Sequence, residues 1–285
     1  MSAPKFRAAL TSLALVGAAT LSVVAVSAPA EAATAPVPVS ISKKRIVTMP
    51  TIVQPGVNTF AVSTKLKRSD FQLAKPAAGY TAEEASRDID KGLDHGKIKP
   101  LKRFEANVTL AGGTMATADR PGTLVVTLEP GTYWALDVGT NDPDKFFAFT
   151  VSGLDTGNVM PASAHIKAKD STKWANKPAS IPKKGLLTFT NGATQNHFVE
   201  MAKLNKGASL KDFKKWFLSE GGPSGPPPVD FSKGLSIGVV SPGRSETVDY
   251  KLPKGNYVML CFWPDASMGG MPHAFMGMIR EIKLK

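Results

Sequence analysis

The chain holds one cysteine, Cys261, and four histidines. No disulfide can form within it, and a small stapled scaffold is excluded. Beyond residue 30 no stretch approaches the roughly 18 apolar residues of a membrane-spanning helix. The only thiol lies far from the N-terminal end, which excludes a lipid-anchored cysteine there. Long basic runs are missing too. Lysines are scattered, with short pairs such as Lys183-Lys184 and Lys214-Lys215, and no stacking motif accompanies them, so the pattern gives no nucleic-acid footprint. Catalytic spacing is equally scarce. Cys261 and His273 lack a third orienting group, and Asp265 and Glu281 show no acid-base spacing, so the sequence reads as a non-enzyme.

What is present begins with a leader. Lys5 and Arg7 precede an uncharged run over residues 8–30, and Ala30-Glu31-Ala32 has the small-x-small form of a signal cleavage site. Residues 1–32 are therefore expected to be a signal peptide, cut after Ala32. The protein is then secreted, with no membrane span after signal removal. The formal charge of +12 falls only to +11 on that cut. A basic exported chain fits an anionic cell-surface polymer or an acidic partner. A single cysteine in that compartment is buried and inert, paired with another molecule, or held by a metal as thiolate.

After a mobile lead-in expected over 33–45, short β-type runs alternate with Pro and Gly. One set covers residues 46–152, starting with Ile46 to Val53, and a second covers 161–285. The linker is placed at 153–160. The sets repeat in register. FQLAKPAAG (71–79) matches VEMAKLNKG (199–207), GVNTF (56–60) matches GLLTF (185–189), and LEPGTYWALD (128–137) matches LPKGNYVMLC (252–261). Three matches in one order make duplication the simplest account. Each copy carries one expected helix. Thr81 and Glu84 form a capping box before Ala85, Ile89 and Leu93, and Ser209 caps a segment with Leu210, Phe213 and Phe217 on one side. Residues 221–230, GGPSGPPPVD, read as an exposed loop.

The copies differ in polar chemistry. The register sets His197 against Ser69 and Cys261 against Asp137, while His273 and Met278 have no counterpart in the first copy. Taken singly, Cys261 in its apolar run reads equally well as an inert core thiol. Together, residues 162–285 resemble the cupredoxins, the β-sandwich family of plastocyanin and azurin, whose ligands come in the order His, Cys, His, Met. The resemblance implies two tandem cupredoxin-like Greek-key β-sandwiches, mostly β, the first a degenerate copy. It also implies copper at His197, Cys261, His273 and Met278, with Met276 as an alternative axial ligand, and one-electron exchange with a redox partner. Eleven residues separate Cys261 from His273, where the family usually has a few. Met268, Met271, Met276 and Met278 crowd around His273, which leaves open a Met/His-type Cu(I) storage or delivery protein. A metal-free module that binds a cell-surface partner is the remaining alternative. His95 and His165 read as surface residues.

Overall fold

Along Gly56–Thr64 the side chains of Asn58, Phe60 and Val62 are buried and those between them are not. That period of two marks a strand with one face on a core. The pattern recurs through the protein in a computed structural model that describes residues 34–285, apart from 171, 176, 177, 220 and 221. The expected signal peptide lies outside the described residues. Among those residues, no helix is long and apolar enough to cross a membrane.

The first half contributes β1 (Val37–Ile41), β2 (Val47–Thr48), β3 (Ile52–Val53), β4 (Gly56–Thr64), β5 (Ser69–Pro76), β6 (Val108–Ala116), β7 (Gly122–Leu128), β8 (Gly131–Asp137) and β9 (Phe147–Val151). The second contributes β10 (Ala164–Asp170), β11 (Lys173–Trp174), β12 (Ser180–Ile181), β13 (Lys184–Ala193), β14 (His197–Leu204), β15 (Val229–Val240), β16 (Ser245–Lys251), β17 (Gly255–Leu260), β18 (Pro264–Asp265), β19 (Met271–Pro272) and β20 (Ile279–Leu284). In the first half β1 runs parallel to β4, β4 antiparallel to β7, and β5 lies between β6 and β8. The second half repeats this wiring. There β10 runs parallel to β13, β13 antiparallel to β16, and β14 lies between β15 and β17. Each half also closes a tyrosine corner, a hydroxyl tied to the backbone just upstream. Tyr133 donates to the Glu129 carbonyl at 3.1 Å and Tyr257 to the Pro253 carbonyl at 2.7 Å.

The halves join edge to edge. β7 pairs antiparallel with β16, and β6 with β15. Corresponding strands thus meet as they do across a two-fold axis. The result is an eight-stranded sheet, β11-β10-β13-β16-β7-β4-β1-β2, and a ten-stranded sheet, β12-β20-β17-β14-β15-β6-β5-β8-β9-β3. One set of buried side chains runs through both halves, from Val39 to Leu284. At the seam β15 and β6 come so close that a Cβ on Gly238 would lie 2.1 Å from the Gly113 nitrogen. Glycine is required there by space.

Several local expectations change. Residues 33–45, expected as a lead-in, contain β1, which buries Val39 and Ile41. The Val-x-Val-x-Ile alternation carries that strand, and Pro38 within it obscured the reading. The run from Ile46 to Val53 is divided into β2 and β3 around Pro50, which has no N–H for a ladder. The first half also holds two helices where one was expected. Thr81 and Glu84 cap α1 (Ala82–Ile89), a π-helical turn follows at Asp90–Asp94, and α2 (Ile98–Asn107) buries Leu101 and Phe104. Pro100 falls in the first turn of α2, where it is tolerated. In the second half α3 (Leu210–Phe217), capped by Ser209 and Asp212, buries Phe213 and Phe217. Residues 222–228 form no regular element, and Val229 and Asp230 already belong to β15.

Candidate metal centre

His197 opens β14, and Cys261 follows the last residue of β17. These strands are antiparallel neighbours with Glu200 opposite Leu260, so the two side chains arrive at the same end of the sheet. His273 reaches them through a fold within the loop. β18 and β19 pair as a small hairpin, with Pro264 opposite Pro272 and Asp265 opposite Met271. The Asp265 carboxylate accepts hydrogen bonds from the Ser267 N–H at 2.7 Å, the Ser267 hydroxyl at 2.5 Å and the Met268 N–H at 3.2 Å. The His273 N–H then donates to the Trp263 carbonyl at 2.9 Å. This hairpin takes up the long spacing between Cys261 and His273.

The resulting cluster is wholly buried: His197, Cys261 and His273 are each 0% exposed. Cys261 Sγ lies 3.6 Å from His197 Nδ1 and 3.7 Å from His273 Nδ1, and the two Nδ1 atoms are 3.0 Å apart. A triangle with these sides has a point in its own plane about 2.0 Å from every corner, close to the roughly 2.0 to 2.3 Å of metal–nitrogen and metal–sulfur bonds. The donor atoms therefore fit one small metal ion in a trigonal plane.

Hydrogen bonds around the three prepare them for that role. His273 Nε2 lies 2.6 Å from Gln195 Oε1, and an amide oxygen only accepts. Nε2 therefore carries the hydrogen and Nδ1 presents its lone pair to the cluster. Burial pushes the His273 pKa down to about 4, against the opposing pull of the Asp265 charge, so the ring is neutral. Burial also works against charge on Asp265, but the Ser267 hydroxyl, the Gln195 amide and backbone N–H groups outweigh it and hold the carboxyl below its usual range. Gln195 thus bridges His273 and Asp265. Burial pushes the Cys261 thiol up to about 12, while hydrogen bonds from the Phe198 and Trp263 backbone pull the other way. A thiol in such surroundings ionises when a cation binds beside it.

The methionines divide. Met278 is 0% exposed. Its N–H donates to the His273 carbonyl at 3.0 Å, and its carbonyl accepts from the Cys261 N–H at 3.3 Å, so its backbone is tied to both residues. Met276 is half-buried, and Met268 and Met271 are exposed. His95 and His165 lie on the surface away from this group. Sequence reasoning left Gln195 and Asn196 in a polar turn before His197 and considered Asp265 only for acid-base spacing. Asn196 Oδ1 accepts from the Ser241 hydroxyl at 2.9 Å, and that hydroxyl accepts from the Leu110 N–H at 2.9 Å. The bond braces the residue before His197 against the first half. The polar triplet TQN before His197 was the available signal, since buried amides beside a histidine fix its tautomer.

The corresponding place in the first half is also filled. Ser69 donates to Asp137 Oδ2 at 2.9 Å, and Arg45 Nη1 lies 2.8 Å from the same oxygen.

No family model matches the chain, and no curated protein matches it. Among solved structures, it is similar to a dithionite-reduced auracyanin from the photosynthetic bacterium Roseiflexus castenholzii, at 20% identity over 43% of this chain and 96% of that one, with a TM-score of 0.28. An auracyanin B is similar at 18% identity over 45% of this chain and 92% of that one, with a TM-score of 0.29. A laccase from Pediococcus acidilactici is similar at 9% identity over 88% of this chain and 60% of that one, with a TM-score of 0.24. Auracyanins are cupredoxins, and over a segment the chain resembles them. The structures it is similar to include that of an enzyme, the laccase, and the sequence expectation of a non-enzyme is not retained.

Proposed function

We propose that the chain binds one copper ion through His197 Nδ1, Cys261 Sγ and His273 Nδ1, with Met278, or Met276 in its place, as a weak fourth ligand. We further propose that it exchanges single electrons with a redox partner outside the cytoplasm, after loss of residues 1–32, and that its halves divide at 153–160. The observation that carries the copper reading is the buried triangle of one sulfur and two imidazole nitrogens with sides of 3.6, 3.7 and 3.0 Å. Two imidazoles, a thiolate and a weak thioether suit copper moving between Cu(I) and Cu(II). The surrounding residues keep that set ready. Gln195 holds His273 in one tautomer, the backbone of Phe198 and Trp263 orients the sulfur, and burial keeps bulk water from the donor atoms. The exposure of Met268 and Met271 removes support from a site made mainly of thioethers.

Copper reconstitution tests the reading. The wild-type protein takes up one equivalent and shows the intense visible band of a Cu(II)–thiolate bond. Cys261→Ser loses the band, and the double variant His197→Ala with His273→Ala loses copper as well. A colourless wild type that takes up neither Cu(I) nor Cu(II) would leave a metal-free binding module as the function.

A further inference from the structure

A second feature lies on the outer face of the ten-stranded sheet, where the halves meet. A half-open cavity of about 600 Å³ lies between that face and two flanking segments. One is the helical region of the first half, through Ala85, Ile89 and Phe104, and the other is the loop after Cys261, through Phe262, Trp263 and Pro272. The volume lies in the range of roughly 300 to 1,000 Å³ that holds drug-sized molecules. Gly238, where β15 meets β6, forms part of the floor.

Strand register gives the cavity a direction. Glu200 is opposite Ser236, Ile237 opposite Thr114, and Asp70 opposite Met115. Ser236 and Asp70 therefore stand in one row across β15, β6 and β5. Arg68 closes on Asp70 with two hydrogen bonds of 2.9 and 3.1 Å. Two residues further along β5, Gln72 is opposite Leu136, and two beyond that Ala74 is opposite Trp134. Ser236, Asp70 and Arg68 make one row polar, Leu136 and Trp134 bring apolar surface further along, and Asp94, Thr140 and Asn141 add polar groups to the lining.

We infer that this cavity is a binding site for a neutral, mostly apolar small molecule carrying one hydroxyl, its apolar body lying over Gly238 between Trp134 and Trp263 and its hydroxyl meeting Ser236 and the Arg68–Asp70 pair. The head-group preference follows from charge. Asp70 already balances Arg68, so an anionic head meets the Asp70 carboxylate and a cationic head meets the guanidinium. Glu200 stands beside them. Burial, partly offset by Arg68 and by a hydrogen bond with Ser236, pushes its carboxyl up to about 7, which lets it both donate and accept near neutral pH. Aromatic walls on both sides add stacking surface for a ring. The inference does not depend on copper, because none of the groups that define it is a proposed ligand.

The test titrates 2-naphthol, naphthalene and 2-naphthoate into the metal-free protein and follows tryptophan fluorescence and heat. The expected result is saturable 2-naphthol binding with a Kd below about 100 µM, and naphthalene and 2-naphthoate each weaker by about tenfold or more. Leu136→Trp and Val239→Trp fill the cavity from half-buried positions. Each is expected to weaken 2-naphthol by at least about tenfold with an unchanged unfolding midpoint. Ser236→Ala removes the hydroxyl without filling the cavity, so it weakens 2-naphthol and spares naphthalene even if the larger substitutions disturb folding. Absence of saturable 2-naphthol binding to the wild type overturns the proposal, as does equal affinity for 2-naphthoate, or full binding by both folded filling variants. Copper uptake is read separately, so failure here leaves the copper reading standing and the reverse holds too.

Discussion

Where β5 begins and β8 ends, Ser69 and Arg45 close on the carboxylate of Asp137; where β14 begins and β17 ends, His197 faces Cys261 and His273 folds in beside both. The backbone frame of the two places is the same. Their third members come from different elements: Arg45 from the turn between β1 and β2, His273 from the loop after β17. The chemistry differs more. In the first half opposite charges satisfy each other. In the second, burial drives both a thiol and an imidazole toward neutrality and leaves three donor atoms around a point sized for an ion. The comparison teaches that this sheet end tolerates buried polar groups in general, and that the choice of side chains decides whether they satisfy one another or a ligand.

The largest expected effect breaks the first site. Asp137→Ala strands the Ser69 hydroxyl and the Arg45 charge, and the expected loss is about 2 to 4 kcal/mol, below the full value for a buried ion pair because Arg45 is partly exposed. Urea unfolding of the metal-free protein measures it. A loss under about 0.5 kcal/mol would show that the polar cluster is not what holds that end of the first half together. The second site is sharpened by Gln195→Leu, which frees the His273 ring to change tautomer. Copper affinity, measured by competition with a chelator, is expected to fall about 10- to 100-fold. An unchanged affinity would leave Gln195 a turn residue only.

A third test concerns the seam between the sites. Glu246 is 0% exposed on β16; its Oε2 accepts from the Gly113 N–H at 2.6 Å, and its Oε1 has no hydrogen-bond partner among the described residues. Burial holds its carboxyl well above the usual range, despite that one bond. The unfolded chain therefore releases this proton at lower pH than the folded protein does. Stability from the neutral carboxyl is complete below about pH 4 and drains away as pH rises toward the raised folded value, by about 1.4 kcal/mol per unit. Glu246→Gln removes the drain. Its stability relative to wild type is expected to improve between pH 4 and pH 8 by more than about 1.4 kcal/mol. Parallel pH profiles of the two proteins would place the carboxyl in contact with water.

Much of the second site was legible because the side chains proposed as ligands are rare residue types, two of them fixed at strand ends. The match of residues 71–79 with 199–207 extends without a gap to the whole of β5 and β14, and so sets Ser69 against His197 in the structure as in the sequence. Other parts were hidden for physical reasons. β6 carries two glycines in succession: a Cβ on Gly112 would lie 2.8 Å from Glu246 Oε2 of the second half, and one on Gly113 would lie 2.1 Å from the Phe71 carbonyl oxygen of β5. The hairpin of β18 and β19 rests on two-residue strands turned by one carboxylate, too short to leave a period. Pairing between the halves leaves no pattern in either half alone.

That pairing also settles what becomes of the sheet edges. Each half spends its inner strands on the other, and both sheets finish in strands two residues long: β11 and β2 in one, β12 and β3 in the other. A row of unpaired N–H and C=O groups is a template for another chain, and natural sheets blunt it with short edge strands. Each of these four outermost strands offers a neighbouring molecule only two residues on which to add a strand, so the template is shortest where the sheets are outermost.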